Sequence, residues 1–249
     1  MTEKKKIGVL GSGSWGTAIA SLLANNGHEV TLWSYLEEEY KELEQFHENR
    51  RFLKGVILPD SICYTPDIQK AVKGKDIVVS ATPSFAVRST IQKIKDVFDK
   101  SNQVIVNIAK GFEEGTLLRL SQVIQSELGD SIRLCVLSGP SHAEEVGRKM
   151  PTTNVAASEN LEIAKMIQDV FMCGYFRVYT STDVLGVELG AALKNVIALC
   201  AGISDGLGYG DNLKAALMTR GMAEIMRLGT KMGGNSKTFA GLTGMGDLI

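Results

Sequence analysis

Apolar positions along this 249-residue chain fall into two regimes. Up to about residue 182, short runs of Val, Ile and Leu alternate with longer stretches whose apolar residues recur every three or four positions. The short runs, at 7–10, 29–33, 76–81, 103–109, 133–137, 152–158 and 176–181, have the length and β-branched content of strands. The periodic stretches, at 17–26, 84–98, 116–128 and 161–171, predict amphipathic helices between them. After Thr182 the strand pattern stops. Helices are expected over 184–201 and 213–232, joined by the glycine-rich "GISDGLGYGDN".

Strands that alternate with helices and read as continuous apolar runs form parallel sheets covered on both faces. The expected class is therefore α/β: a mostly parallel, doubly wound sheet over residues 1–182, followed by an all-helical second domain over 183–249. The first strand leads into Gly11-Ser12-Gly13-Ser14-Trp15-Gly16, a G-x-G-x-x-G that opens a helix inside one βαβ unit. That context makes it the dinucleotide fingerprint of a Rossmann-type sheet. Gly11 serves the tight turn, Gly13 the approach of a pyrophosphate, and Gly16 the close packing of helix on strand. The free N–H groups of the helix start then hold the anion. The acid or arginine that would distinguish NAD from NADP is missing from the end of the second strand, which reads Trp33-Ser34-Tyr35-Leu36. The Glu37-Glu38-Glu39 run that follows is expected to be a solvated helix start.

Ligands in such sheets bind beyond the carboxyl ends of the strands. Thr82-Pro83, Lys110-Gly111 and Ser138-Gly139-Pro140 all fall there. Lys194 stands out for a different reason. On a helix its neighbours at three, four and seven positions are Val187, Gly190, Ala191, Ile197, Ala198 and Ala201. An ammonium on an apolar, small-residue face is either a snorkelling lysine or a site.

Net charge is −1, so no global positive field favours nucleic acid. The four cysteines form no C-x-x-C pair and read as reduced, buried thiols of a cytosolic protein. His28, His47 and His142 are isolated, so no metal is expected. The basic and apolar N-terminus imitates a signal peptide, but Gly11-Ser12-Gly13-Ser14 interrupts it. No apolar run looks clean enough to span a bilayer. Glu144 and Glu145 read as a helix N-terminal face, and Ser141-His142 lacks a G-x-S-x-G context. Met218, Met222 and Met226 read as packing.

Five segments, "GSGSWGTAIA", "AKGFEEGT", "LSGPSHAEEV", "GVELGAALKNVIALCAGISDGLGYGDNLKAALMTRG" and "GLTGMGDLI", together resemble bacterial NAD(P)-dependent glycerol-3-phosphate dehydrogenase over residues 6–249. The resemblance implies interconversion of sn-glycerol 3-phosphate and dihydroxyacetone phosphate, with NAD or NADP, for phospholipid synthesis in the cytoplasm. It implies Lys194 as the proton-transfer residue. It further implies a substrate site at Lys110, Gly139, Ser141, Lys194, Asn195 and Asp247. Cofactor positions would be Gly11, Gly13, Ser14, Trp15, Gly16, Tyr35, Lys110 and Ala143. The partner is then a small phosphorylated substrate, without nucleic acid or membrane insertion, and a homodimer is compatible with it.

Two departures accompany the resemblance. The family commonly has a basic residue near Tyr35-Leu36, and it continues past "GMGDLI" into a helical segment with a Ser-Arg-Asn phosphate cluster. The chain is accordingly expected to bind the dinucleotide and to turn over poorly. The competing reading is a dinucleotide-binding or redox-sensing protein without turnover. If Lys194 is the proton donor, burial should lower its pKa, and Asp247 is expected not to grip it tightly.

Overall fold

The computed structural model describes residues 3–249. In chain order the first half runs β1 (Lys6–Leu10), α1 (Ser14–Asn25), β2 (Glu29–Trp33), α2 (Glu37–Phe46), β3 (Cys63–Thr65), β4 (Ile77–Ser80), α3 (Val87–Ile94), β5 (Val104–Asn107), α4 (Leu120–Leu128) and β6 (Arg133–Ser138). It continues with α5 (Ala143–Gly147), β7 (Thr152–Ala157), α6 (Leu161–Phe171) and β8 (Phe176–Ser181). Helices α7 (Val184–Gly206), α8 (Gly210–Lys231) and α9 (Ser236–Phe239) follow, with a π turn at Leu242–Gly246.

The eight strands form one sheet in the order β3-β2-β1-β4-β5-β6-β7-β8. The order reverses direction at β1, which pairs in parallel with both β2 and β4. A doubly wound sheet opens a crevice at that point, beyond the carboxyl ends of the strands. Among the eight named strands of the described residues, the β6–β7 pairing alone is antiparallel. The passage between those two strands carries just the short helix α5, too little for the crossover that a parallel neighbour requires.

Both faces of the sheet are covered, as strands with buried residues on both sides demand. One face packs Ile7, Val9, Val79 and Val106 against Ile19, Leu22 and Leu23 of α1 and Ile167 and Phe171 of α6. The other packs Leu10, Val78 and Ile105 against Ile91 and Ile94 of α3, Val123 and Ile124 of α4, and Val184 and Val187 of α7. A small third cluster of Leu189, Met222, Ile225 and Phe239 joins the last three helices.

Two carboxylates, the half-buried Asp183 and the buried Glu188, fix where α7 starts. Asp183 accepts from the Gly186 N–H at 2.9 Å as N-cap, and also from Thr238 Oγ1 at 2.7 Å and the Asn235 N–H at 2.9 Å. Glu188 receives the Ser121 N–H at 2.8 Å and the Arg119 guanidinium, which joins α7 to the start of α4. Side-chain acceptors at a helix start satisfy N–H groups that have no partner inside the helix.

Several expectations change. Helix α7 continues through Gly202 to Gly206, so the glycine-rich connection is much shorter than its composition implied. A helical glycine costs about 1 kcal/mol relative to alanine, and packing along α8 outweighs it. Helix α4 begins at Leu120, after an extended Arg119, rather than at 116. Helix α2 does begin at Glu37 as expected, but Glu39 is not solvated. Among the four free cysteines only Cys135 is buried, because Cys63 lies on the edge strand β3 and Cys200 on α7 beyond the sheet. The sequence reading also understates α7 as an apolar segment: within its 23 residues an 18-residue stretch reaches a mean hydropathy of 1.7, long and apolar enough to cross a membrane. Its first third instead packs under the sheet, with the Arg119 guanidinium paired to Glu188 beside it.

Candidate active site

The glycine turn is built as its spacing demands. Gly11 has φ +120°, a region open to glycine, and its N–H donates to the Trp33 carbonyl at 3.1 Å. A Cβ on Gly16 would lie 2.0 Å from the Gly11 carbonyl oxygen and 3.0 Å from Ala81 Cβ, so only glycine lets α1 approach β1 and β4 this closely. A Cβ on Gly13 would meet no atom within 4 Å. Gly13 therefore faces open space, and nothing in the fold itself demands glycine there.

Gly13 is also the N-cap of α1, with no side chain to cap the helix. The first helical bond runs from the Thr17 N–H to the Gly13 carbonyl at 2.9 Å. The N–H groups of Ser14, Trp15 and Gly16 precede that bond and are the free donors of the helix start. An open pocket in front of free N–H groups at the positive end of a helix fits a pyrophosphate. Three hydroxyls at neighbouring strand ends, on Ser34, Ser80 and Thr82, are buried without a partner, as expected of groups awaiting a polar ligand. Tyr35, at the end of β2, is exposed. Ala143 is buried at the start of α5.

Behind the turn stands Asn49, a residue that no local pattern in the sequence singles out. Its Nδ2 donates to the Ser12 carbonyl at 2.7 Å and to Thr17 Oγ1 at 3.0 Å. Its Oδ1 accepts the Phe52 N–H at 2.9 Å. The amide uses its donors and its acceptor, and so holds the turn from behind.

The second part of the site lies at the ends of β5 and β6. Lys110 follows β5 and points its Nζ at the loop after β6, 3.1 Å from the Gly139 carbonyl and 3.0 Å from Ser141 Oγ. Gly139 has φ +142° and packs on Asn154 of β7, whose Cα would be 3.0 Å from a Cβ there. Asn154, also unread from the sequence, donates its Nδ2 to the Pro140 carbonyl at 3.0 Å and so braces the same loop.

Asp247, just after the π turn, completes the cluster. Its Oδ2 lies 2.6 Å from Lys110 Nζ and its Oδ1 2.6 Å from Lys194 Nζ. The Asp247 backbone carbonyl accepts a further bond from Lys194 at 2.9 Å. The carboxylate is 4% exposed, against 20% for Lys110 and 16% for Lys194. Burial depresses the Lys110 ammonium below the ordinary lysine range; Asp247 opposes the shift and Lys194 adds to it.

Lys194 is thus no snorkelling residue, and Asp247 grips it in this state, contrary to the sequence expectation. The reason is geometric: Gly190 lies one turn before Lys194, and a Cβ on it would meet the Thr243 carbonyl oxygen at 2.7 Å. Small residues on that face admit the C-terminal segment that carries Asp247, rather than leaving the space open. Asn195 is exposed and joins none of these contacts. Among the described residues no group of three or more His, Cys, Asp or Glu could hold a metal ion.

A glycine cradle and a lysine–aspartate–lysine cluster stand at the carboxyl ends of one doubly wound sheet. The profile of the NAD-dependent glycerol-3-phosphate dehydrogenase N-terminus matches residues 6–164. That of the same family's C-terminus matches residues 183–249. The chain is 55% identical over 247 residues to glycerol-3-phosphate dehydrogenase (NAD(P)+) of Bacillus pumilus, covering 98% of this chain and 71% of that protein. The crystal structure of glycerol-3-phosphate dehydrogenase from Coxiella burnetii superposes with a TM-score of 0.94 at 38% identity, over 98% of this chain and 74% of that one. The glycerol-3-phosphate dehydrogenase of Plasmodium falciparum gives a TM-score of 0.90 at 27% identity, over 99% of this chain and 72% of that one. The chain belongs to the NAD-dependent glycerol-3-phosphate dehydrogenase family.

Proposed function

We propose that this chain interconverts sn-glycerol 3-phosphate and dihydroxyacetone phosphate with NAD or NADP, in the cytoplasm, and supplies glycerol phosphate for phospholipid synthesis. Residues 1–182 carry the dinucleotide, and residues 183–249 bring helix α7 and Asp247 to the substrate. The observation that carries the reading is the pair of part-buried lysines on one buried carboxylate, at the same strand-end edge of the sheet as an open glycine cradle.

When bound, the dinucleotide supplies or accepts the hydride. Gly11, Gly13, Ser14, Trp15 and Gly16 would hold its pyrophosphate, with Tyr35, Lys110 and Ala143 around the rest. The remaining tasks belong to side chains. Lys194 donates a proton to the carbonyl oxygen of dihydroxyacetone phosphate as it becomes a hydroxyl, and takes that proton back in the reverse direction. Lys110, with Ser141 and the Gly139 backbone, provides charge and hydrogen bonds for the phosphorylated substrate. Asp247 keeps the two ammonium groups apart and oriented, and together with Asn195 meets the substrate hydroxyls. Asp247 holds Lys194 through two contacts, and the substrate oxygen takes the place of one of them before proton transfer.

A dinucleotide-binding protein without turnover would have no use for a second buried ammonium beside the first. The test is the loss of reduced-nicotinamide absorbance on adding dihydroxyacetone phosphate. Consumption that depends on both substrate and Lys194 is expected. Dinucleotide binding with no consumption would support the non-catalytic reading instead.

A further inference from the structure

The end of β2 lacks the residue type that reads the adenosine ribose in most such sheets. Trp33-Ser34-Tyr35-Leu36 offers neither a carboxylate nor a guanidinium. A carboxylate nonetheless reaches the cradle from another place. Glu39, in the first turn of α2, accepts a hydrogen bond through Oε2 from Ser12 Oγ at 3.1 Å. Ser12 is the second residue of the glycine turn and is buried. Among the described residues Glu39 is the only carboxylate hydrogen-bonded to that turn.

The three glutamates at this helix start behave differently. Glu37 is exposed and pairs with Lys41 along the helix. The Glu39 side chain is 18% exposed and turns inward to the cradle. At the end of β2, a few residues earlier, Ser34 Oγ is fully buried and has no partner. A carboxylate acceptor fixed on the turn, and an unpaired hydroxyl at the end of the strand that leads to α2, suit a vicinal diol, which both donates and accepts hydrogen bonds. A phosphate on that diol would bring negative charge against the carboxylate.

The nearby cations offset this only in part. Arg51 Nη1 lies 3.8 Å from Glu39 Oε1 and is largely exposed. Lys93 Nζ sits 5.0 Å from the centre of the Tyr35 ring. Arg50 is engaged elsewhere, over the Phe46 ring and 3.5 Å from Glu48.

We propose that Glu39 is the specificity-determining residue of the cofactor site, and that it selects NAD(H) over NADP(H). Its carboxylate accepts from the free ribose hydroxyls and repels a 2′-phosphate. The proposal rests on the dinucleotide-binding reading above and names which of the two dinucleotides the site takes.

The test is titration of NADH and of NADPH by fluorescence on the wild-type chain, Glu39→Gln and Lys93→Ala, with thermal melting as a check on folding. Glutamine keeps an acceptor for Ser12 and removes the charge. The wild type is expected to bind NADH at least about tenfold more tightly than NADPH, the scale of one like-charge contact at a partly shielded site. Glu39→Gln should raise NADPH affinity by about the same factor and leave NADH affinity within about threefold. Equal affinities in the wild type, or a ratio unchanged in Glu39→Gln, would overturn the assignment of Glu39 alone. So would a preference for NADPH that Lys93→Ala abolishes, since Lys93 would then be the reader of the phosphate. Failure of either dinucleotide to bind would overturn the proposed function, and the Glu39 assignment with it.

Discussion

Lys194 and Asp247 lie 53 positions apart and meet twice, through the side-chain Oδ1 at 2.6 Å and the backbone carbonyl at 2.9 Å. The second contact matters because a backbone carbonyl cannot rotate away on its own. It ties the position of the ammonium to the path of the chain after the π turn, and the same carboxylate ties that path to Lys110. Removal of the lysine should therefore damage chemistry without damaging the cradle. Lys194→Met is expected to lower kcat by at least ~10²-fold, the scale of lost general acid–base catalysis. Dinucleotide affinity should hardly change, because the cradle shares no contact with Lys194. Steady-state kinetics alongside a cofactor titration checks both halves. A kcat within about threefold of the parent would remove Lys194 from proton transfer.

The demands on the second and third glycines of the turn separate cleanly in the structure. Gly13 has extended backbone, φ −66° and ψ 177°, and a Cβ there meets nothing. Gly13→Val should fold and melt like the parent while losing dinucleotide binding, since its side chain fills the space in front of the helix start. Gly16→Ala is the opposite case. Its Cβ would lie 2.0 Å from a backbone oxygen, so the fold must shift, at a cost of at least ~2 kcal/mol. Thermal melting of both variants with a reduced-dinucleotide titration gives the comparison. Weak binding by a destabilised Gly13→Val would undo the distinction.

Most of the sheet was legible because its strands are short apolar runs bounded by turns. Glu29–Trp33 and Phe176–Ser181 fall where the pattern put them. Helix α2 was left largely unread because only Leu43 among its residues is buried, so the apolar face is one residue deep. The far end of α7 is hard to read because Gly202 and Gly206 argue locally for a loop, whereas in the structure Ser204 is buried and Asp205 pairs with Lys214 of α8 at 2.8 Å. In the site, the glycine turn and Lys110 follow from local spacing. Asn49, Asn154 and the grip of Asp247 do not. Each acts on backbone or charge far away in sequence, and no periodicity records such a partner.

His28 should make stability depend on pH in a definable window. It is buried, with its Nδ1 accepting the Lys5 N–H at 3.2 Å and its Nε2 3.1 Å from the Val170 carbonyl. These partners suit a neutral ring that carries its proton on Nε2. Burial holds its pKa below the ordinary 6.5; the Val170 carbonyl opposes the shift and Lys5 adds to it. The unfolded chain therefore takes up a proton that the folded ring resists. The contribution to stability is fully present above 6.5 and is lost as pH falls from there through the folded value. Urea unfolding should show a midpoint that drops from neutral to mildly acidic pH in the wild type, and drops less in His28→Gln. Parallel curves for the two proteins would exclude His28 as the cause.

Asp247→Asn tests the cluster as a unit. Asparagine keeps the shape and an acceptor for one lysine but withdraws the only carboxylate from two buried ammonium groups. Breaking a buried pair in this way costs about 3 kcal/mol, so a lower melting temperature is expected. The sharper readout is the pH dependence of substrate binding. Lys110 is already held low by burial, Asp247 opposes that shift, and Lys194 reinforces it. With the carboxylate neutralised only the lowering influences remain, and the Lys110 pKa should fall further. A lysine is charged below its pKa, so in the variant Lys110 loses its charge at a lower pH than in the parent. If Lys110 supports the substrate phosphate, KM for dihydroxyacetone phosphate should begin to rise with pH earlier in Asp247→Asn than in the wild type. KM measured from neutral pH up toward the ordinary lysine range decides it. A profile that keeps its position while kcat alone changes would confine Asp247 to Lys194 and leave Lys110 outside phosphate recognition.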